Sequence, residues 1–479
     1  MTRRWRVISL RVFLEDQATV NKGKNPAAAP QENKMGVMPV GKLIINMSLP
    51  MMASMLVQAM YNVVDSIFVS RISENAFTAV SLAFPIQTLM IAVCGGTAVG
   101  INALLSRSLG EKNLPKARSA ALNGVFLAAM GFLAFFLIGW LVVPTFFRAQ
   151  TDVAEIVDGG IAYLRVCCCA SFGIFFGMTF DRLLQSTGRT LLTMYTQMLG
   201  AVMNIIFDPI MIFGLFGFPA LGVAGAAVAT VLGQIGGMLL SFWFCRHKNP
   251  EVPLTFKGFR PEKAVIAEIY RVGVPSIVMQ SIGSIMTFGF NQILIGFSTT
   301  AAAVFGAYFK LQSFIFMPVF GLNNGLVPII SFNYGARRPD RIREAFRRGV
   351  TYAMCIMAVG LALFQIVPGV LLQLFDPSEE LLRIGVPALR IISISFVPAA
   401  FCIVCGSMFQ ALGSAVYSMI TSVTRQLVVL LPVAWLMSRT GILDLVWLSF
   451  PIAEIFSVIL SVFFFRRIHH KKLHPLEED

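Results

Sequence analysis

The sequence predicts an all-α integral membrane protein of about twelve transmembrane helices, in two six-helix lobes related by a parallel pseudo-twofold repeat. Three observations carry that prediction. Of 479 residues, 56% are hydrophobic and 13% charged, with mean hydropathy +0.76; a soluble domain carries about 25% charged residues. The apolar stretches have the length of a bilayer span, roughly 20 residues. The chain also matches itself at one offset: Pro275 follows Pro50 by 225 residues. The same offset pairs Gly96 with Gly321, Gly100 with Gly325, Ser106 with Ser331, Gly110 with Gly335 and Arg118 with Arg343. It continues through Gly124 and Gly349, Arg165 and Arg390, Gln185 and Gln410, and Gly188 and Gly413. An even number of spans per half leaves both halves in the same membrane orientation.

Residues 1–38 read as a disordered, basic N-terminal extension. Arg11 interrupts an apolar run too short for a signal peptide, and 22–34 is rich in Pro, Ala, Asn and Lys. Translation from Met35 or Met38 is one reading, which N-terminal mass measurement on the native protein decides. Spans are expected at 43–70, 77–106, 118–143, 160–181, 190–214 and 220–244, then at 266–296, 301–332, 347–372, 384–411, 415–437 and 443–465. The first six form an N-lobe (39–245) and the last six a C-lobe (265–467), with a linker at 246–264 and a tail at 468–479.

The loops alternate in charge. Arg107, Lys112, Lys116 and Arg118, then Arg182 and Arg189, then Arg246 to Lys263, then Arg337 to Arg343 and the Arg466–Lys472 tail fall on one side. The acidic stretches 152–158 and 376–380 fall on the other. By the positive-inside rule both termini are cytoplasmic, in a plasma (inner) membrane. The net charge of +14 therefore reads as topology, with the lipid bilayer as partner and no nucleic acid.

The eight cysteines lie in or beside apolar segments, where Cys behaves as a small hydrophobe. Cys402 and Cys405 have redox spacing without a second pair, so they read as packing. His247, His469, His470 and His474 sit in basic loop or tail sequence. No cofactor and no resident metal are expected.

Asp65 stands inside the first span, where a carboxylate costs roughly 2.5 kcal/mol or more. Helical spacing places Gln58, Tyr61, Asn62 and Asp65 on one stripe. In the fifth span Asn204 and Asp208 share a face, and Pro209 leaves the Ile205 carbonyl without its helical donor, so a kink is expected there. The sixth span carries Thr230 and Gln234, and its small residues Gly222, Gly225, Ala226 and Ala229 allow close helix approach. Counting along the helices puts Asp65, Asp208 and Thr230 in the outer half of the N-lobe. Two carboxylates there suit exchange of H⁺, or of Na⁺, against a cationic guest. In the C-lobe, Arg425 and Glu454 fall near the bilayer centre and are expected to pair. Lys310 lines the cleft or snorkels to the interface.

These residues resemble the multidrug and toxic compound extrusion (MATE) transporters, cation antiporters of two six-helix lobes. The matching pieces are SLPMMASMLVQAMYNVVDSIFVSRI, GGTAVGINALLSRSLGEKN, LLQSTGRT and NIIFDPIMIFG…GVAGAAVATVLGQ. Within the family the chain is most similar to the DinF-like branch. The resemblance implies that Asp65 and Asp208 are ion-coupling carboxylates, with Asn204 and Thr230 beside them and Na⁺ an alternative to H⁺. The expected substrate cavity adds Gln58, Tyr61, Asn62, Gln234 and Gln280. Gln280 stands in the seventh helix, where another branch carries an acid. The implied function is export of small organic cations by alternating access, as a monomer. The alternative is a flippase for a lipid-linked saccharide, whose anionic cargo would want a cation-lined cavity. No H-E-x-x-H, G-x-S-x-G or P-loop is present, so no enzyme is expected.

Overall fold

The computed structural model describes residues 33–375 and 377–478. The acid Asp376 and residues 1–32 of the expected extension lie outside the described residues. The chain forms α1 (Val40–Ser70), α2 (Glu74–Gly110), α3 (Leu114–Leu141), α4 (Ala154–Cys169), α5 (Phe172–Ser186), α6 (Thr190–Phe213) and α7 (Val223–Lys248) in the N-lobe. The C-lobe contains α8 (Lys263–Ile295), α9 (Thr299–Gly335), α10 (Pro339–Ile366), α11 (Glu379–Ser393), α12 (Phe396–Ala411), α13 (Ala415–Val423), α14 (Leu431–Ser438) and α15 (Ser449–Ile468).

Among the described residues ten helices are long and apolar enough to cross a membrane, and the count is twelve with each of two bent pairs taken as one span. The pairs are α4–α5, bent by 41°, and α11–α12, bent by 48°. The fourth and tenth spans, expected to be single helices from 160 and 384, instead start at Ala154 and Glu379 and break mid-span. A second departure lies at Thr424–Leu430, where α13 passes into a π-helix before α14. Pro209 lies inside α6, which runs on to Phe213.

The repeat is carried down to single contacts. Ser73 caps α2 by accepting from the Ala76 amide at 3.0 Å, and its counterpart Ser298 caps α9 by accepting from Ala301 at 3.1 Å. Ser106 Oγ donates to the Ser186 carbonyl at 3.4 Å, and Ser331 Oγ to that of Ala411 at 3.0 Å. Arg165 lies 4.8 Å over the Trp140 ring; its counterpart Arg390 donates from Nε to the carbonyl of Gln365, the residue equivalent to Trp140, at 3.3 Å.

The lobes meet where α2 packs on α8 and α1 packs on α9. Glycines make this contact close. A methyl on Gly96 would stand 2.6 Å from the Ile277 backbone nitrogen, and one on the equivalent Gly321 2.6 Å from that of Met52. A methyl on Gly110 would stand 2.0 Å from the Phe332 carbonyl oxygen, and one on Gly335 2.1 Å from that of Arg107. All these glycines lie in the half of each helix nearer the basic loops. The cleft is therefore shut at the basic end.

Candidate functional site

The site is built on α1, α6 and α7. A methyl on Gly233 would stand 2.5 Å from the Gly200 carbonyl oxygen, and one on Gly225 2.3 Å from that of Met211. That approach sets Asn204 and Asp208, one turn apart on α6, against Thr230 on α7. With its amide oriented by the network, Asn204 Nδ2 donates to Asp208 Oδ2 at 3.2 Å. Its Oδ1 accepts from the Thr230 amide at 3.3 Å and from Thr230 Oγ1 at 3.2 Å. Asp208 is fully buried and Asn204 nearly so.

Asp65 faces this group from α1, within electrostatic reach of Asp208. Its Oδ1 is buried and has no hydrogen-bond partner among the described residues. Tyr61 lies within electrostatic reach of both carboxylates. Asn62 and Gln58 are exposed along the same stripe, and Gln234 is half-buried one turn beyond Thr230 on α7. The structure thus brings Asp65, Tyr61, Asn204, Asp208 and Thr230 into one cluster. Gln280 stands elsewhere. Its amide lies against α2 at the lobe contact, where a methyl on Gly95 would come within 2.8 Å of Oε1.

Two side chains complete the cluster and were not anticipated. Gln87 on α2 donates from Nε2 to the Tyr163 hydroxyl at 3.0 Å, and Tyr163, from α4, lies within electrostatic reach of Asp65 and Tyr61. Gln87 was readable as an amide inside an apolar span; Tyr163 carried no such signal.

A pair of carboxylates in one lobe of a two-lobe membrane bundle narrows the family, and comparison decides it. The MatE family model matches residues 50–210 and again 275–436, one match in each lobe. The chain belongs to the MatE family. It is similar to the FAD transporter of Shewanella oneidensis, 23% identical over 90% of this chain and 95% of that one. It is also similar to the multidrug export protein MepA of Staphylococcus haemolyticus, 23% identical over 88% of this chain and 92% of that one. Among solved structures it matches an outward-facing multidrug resistance MATE family transporter of the MOP superfamily. The TM-score is 0.88 at 25% identity, covering 95% of this chain and all of the other. This MATE protein is a multi-pass transporter of small molecules and not an enzyme.

The transporter's C-lobe lacks the carboxylate pair. The position equivalent to Asp65 is Phe290, fully buried with its ring 4.8 Å from Phe305, 5.1 Å from Phe450 and 5.9 Å from Trp447. The position equivalent to Asp208 is Val433. The repeat therefore supplies one acidic cluster and one aromatic core.

What the C-lobe has instead is an ion pair. Arg425, in the π-helical turn, places Nη1 3.4 Å from Glu454 Oε2. Glu454 Oε1 is buried with no partner among the described residues. Arg425→Ala leaves that carboxylate buried and uncompensated, at a cost of about 3 kcal/mol. Thermal unfolding in detergent should show a clear loss for Arg425→Ala and a smaller one for the apolar double variant Arg425→Met/Glu454→Leu. Equal losses would mean that the charges do not matter to each other. Lys310 is exposed, 6.0 Å over the Phe375 ring. Cys402 and Cys405 are both buried as free thiols.

Arg182, grouped with the loop charges in the sequence, lies inside α5 beside a buried acid. Asp181 accepts from Ser241 Oγ at 2.5 Å, Thr196 Oγ1 at 2.8 Å and Gln197 Nε2 at 3.1 Å, tying α5, α6 and α7 together. Arg182 points the other way. It donates to Gln185 Oε1 at 2.6 Å and across the lobe contact to Asn324 Oδ1 of α9 at 2.9 Å.

Proposed function

We propose that this MATE protein is a secondary antiporter of the DinF-like kind, exporting small organic cations in exchange for H⁺ or Na⁺ through its N-lobe carboxylates. The observation that carries the reading is the Asp65–Asp208 cluster, with the buried Asp65 Oδ1 left without a hydrogen-bond partner among the described residues. An unpartnered buried oxygen is costly until a proton, a sodium ion or a cationic cargo satisfies it. Asn204, itself oriented by Thr230, holds Asp208 by a neutral hydrogen bond, which leaves the carboxylate charge uncancelled. A proton or Na⁺ on either carboxylate removes part of the charge that draws a cationic cargo, so ion and cargo weaken each other's binding. That opposition is the requirement for exchange.

A tenfold gradient of a monovalent ion supplies about 1.4 kcal/mol per ion. One ion per cargo therefore sustains about a tenfold cargo gradient before any contribution from voltage. Coupling further requires that the ion bind the two lobe arrangements with different affinity. Positive-inside placement makes the basic, closed end cytoplasmic, so the cleft opens outward here. The same reading puts the protein in the plasma membrane, both termini in the cytoplasm, and treats it as a monomer.

The flippase reading needs a cation-lined cavity. Arg425, paired with Glu454, works against it. Efflux of a fluorescent organic cation from proteoliposomes, under a pH gradient and a Na⁺ gradient imposed separately, tests the proposal. Efflux driven by one gradient supports antiport and names the ion. No gradient-dependent efflux of several cations, from folded protein, overturns it.

A further inference from the structure

The segment ahead of α1 belongs to the closed face. Residues 33–38, expected to be part of a disordered extension, form the short helix Lys34–Val37 with Met35 fully buried. One end is held by the N-lobe and the linker: Asn33 Nδ2 donates to the Thr187 carbonyl at 3.3 Å and to Glu251 Oε2 at 2.8 Å. The other end is held by the C-lobe. Arg341 Nη2 donates to the carbonyls of Met35 at 3.0 Å and Met38 at 2.7 Å, and Arg338 Nη1 to that of Gly36 at 2.7 Å. Asn333 Nδ2 adds a bond to the Met35 carbonyl at 3.2 Å, and Arg341 Nε braces Asn333 Oδ1 at 2.9 Å.

The repeat builds the same device a second time. The linker ahead of α8 crosses to the N-lobe corner equivalent to the one that Arg341 occupies. Lys116, the counterpart of Arg341, lies 3.0 Å from Glu268. Arg118 Nη2 donates to the Thr255 carbonyl at 3.0 Å, Ser119 Oγ to Glu262 Oε1 at 2.7 Å, and the Glu262 amide to Asn123 Oδ1 at 3.0 Å. Each lobe's leading segment is thus docked on the other lobe, at the end where the cleft is shut. The linker must be present to join the lobes. The segment 33–38 has no such duty, yet it carries as many bonds.

We infer that residues 33–38 are a clasp across the two lobes, which holds the basic face closed and must release before that face can open. Moving the lobes apart there separates Asn33's partners, Thr187 and Glu251, from Arg338 and Arg341. These bonds cannot all survive the transition, so the clasp biases the equilibrium toward the closed arrangement. The inference does not depend on which cargo or ion is carried.

The test is a distance measurement on the full chain in nanodiscs. Spin labels on unnatural amino acids at the exposed positions Lys248 and Arg466 report the separation of the lobes at the basic end and leave the native cysteines alone. Two variants cut opposite ends of the clasp: Arg338→Ala/Arg341→Ala on the C-lobe side, and Asn33→Ala on the other. Both are expected to raise the long-distance population several-fold over the parent, with unchanged thermal unfolding. Distances unchanged in either folded variant overturn the clasp. In particular, a shift for the arginine variant alone would assign the effect to the brace between Arg341 and Asn333. Should the arginine variant fail to fold, Asn33→Ala reads the same device and decides alone.

Discussion

Asp208→Asn is expected to abolish gradient-driven transport while leaving the protein folded. The substitution is nearly isosteric, and the position is fully buried, so packing is preserved. The Asn204 amide can donate to the new amide oxygen as it does to the carboxylate. What disappears is the charge. A buried carboxylate held only by a neutral donor is costly to keep, so its removal leaves stability unchanged or slightly raised. Concentrative efflux should fall to the level of protein-free liposomes, with a melting temperature at or above that of the parent. Asp65→Asn should abolish transport likewise, because the two acids stand within electrostatic reach of each other in one cluster. Transport retained by both variants would place coupling outside the N-lobe cluster.

Gly110→Ala and Gly335→Ala are expected to open the closed end, and to do so equally. Each added methyl would stand about 2 Å from a backbone carbonyl oxygen of the opposite lobe, and backbone cannot swing aside as a flexible side chain can. Over-packing of this kind costs about 1–3 kcal/mol, and here only the closed arrangement suffers it. The equilibrium should therefore move by roughly 5- to 150-fold toward the open one. Alkylation of a cysteine introduced on the lobe contact would report the change. Gly306→Ala, where an added methyl has nothing within 4 Å, should leave it unaltered. Unequal effects at Gly110 and Gly335 would mean that the two-fold relation does not govern this contact.

The span count and the two-lobe plan were legible because hydropathy and a self-match in register need no tertiary information. The sequence also held the residues of the candidate cluster. Asn204 and Asp208 stand four apart beside Pro209, and Asp65 closes a polar stripe on an otherwise apolar helix. Other features were hidden for physical reasons. Hydropathy measures how apolar a stretch is and not whether it is straight, so the bends after Cys169 and Ser393 left no trace. The π-helical turn at Thr424–Leu430, which carries Arg425, answers to no local sequence pattern. Asp181 and Arg182 are adjacent, so they point to different sides of α5; one faces its own lobe and the other reaches across to Asn324. A linear reading placed Arg182 with Arg189 among the basic loop charges and gave Asp181 no role. Residues 33–38 were masked by composition, since their order comes from carbonyls accepting bonds from a distant arginine pair, and any residue has a carbonyl.

The central claim is that ion and cargo compete for the carboxylates of one lobe. The direct measurement is the number of ions released when an organic cation such as tetraphenylphosphonium is added to purified protein, in weakly buffered solution for H⁺ and with a sodium electrode for Na⁺. Release of one ion species on cargo binding, lost in Asp65→Asn and in Asp208→Asn, is the predicted result. Cargo binding that displaces neither ion, or that displaces as much ion in the two variants as in the parent, would contradict the account.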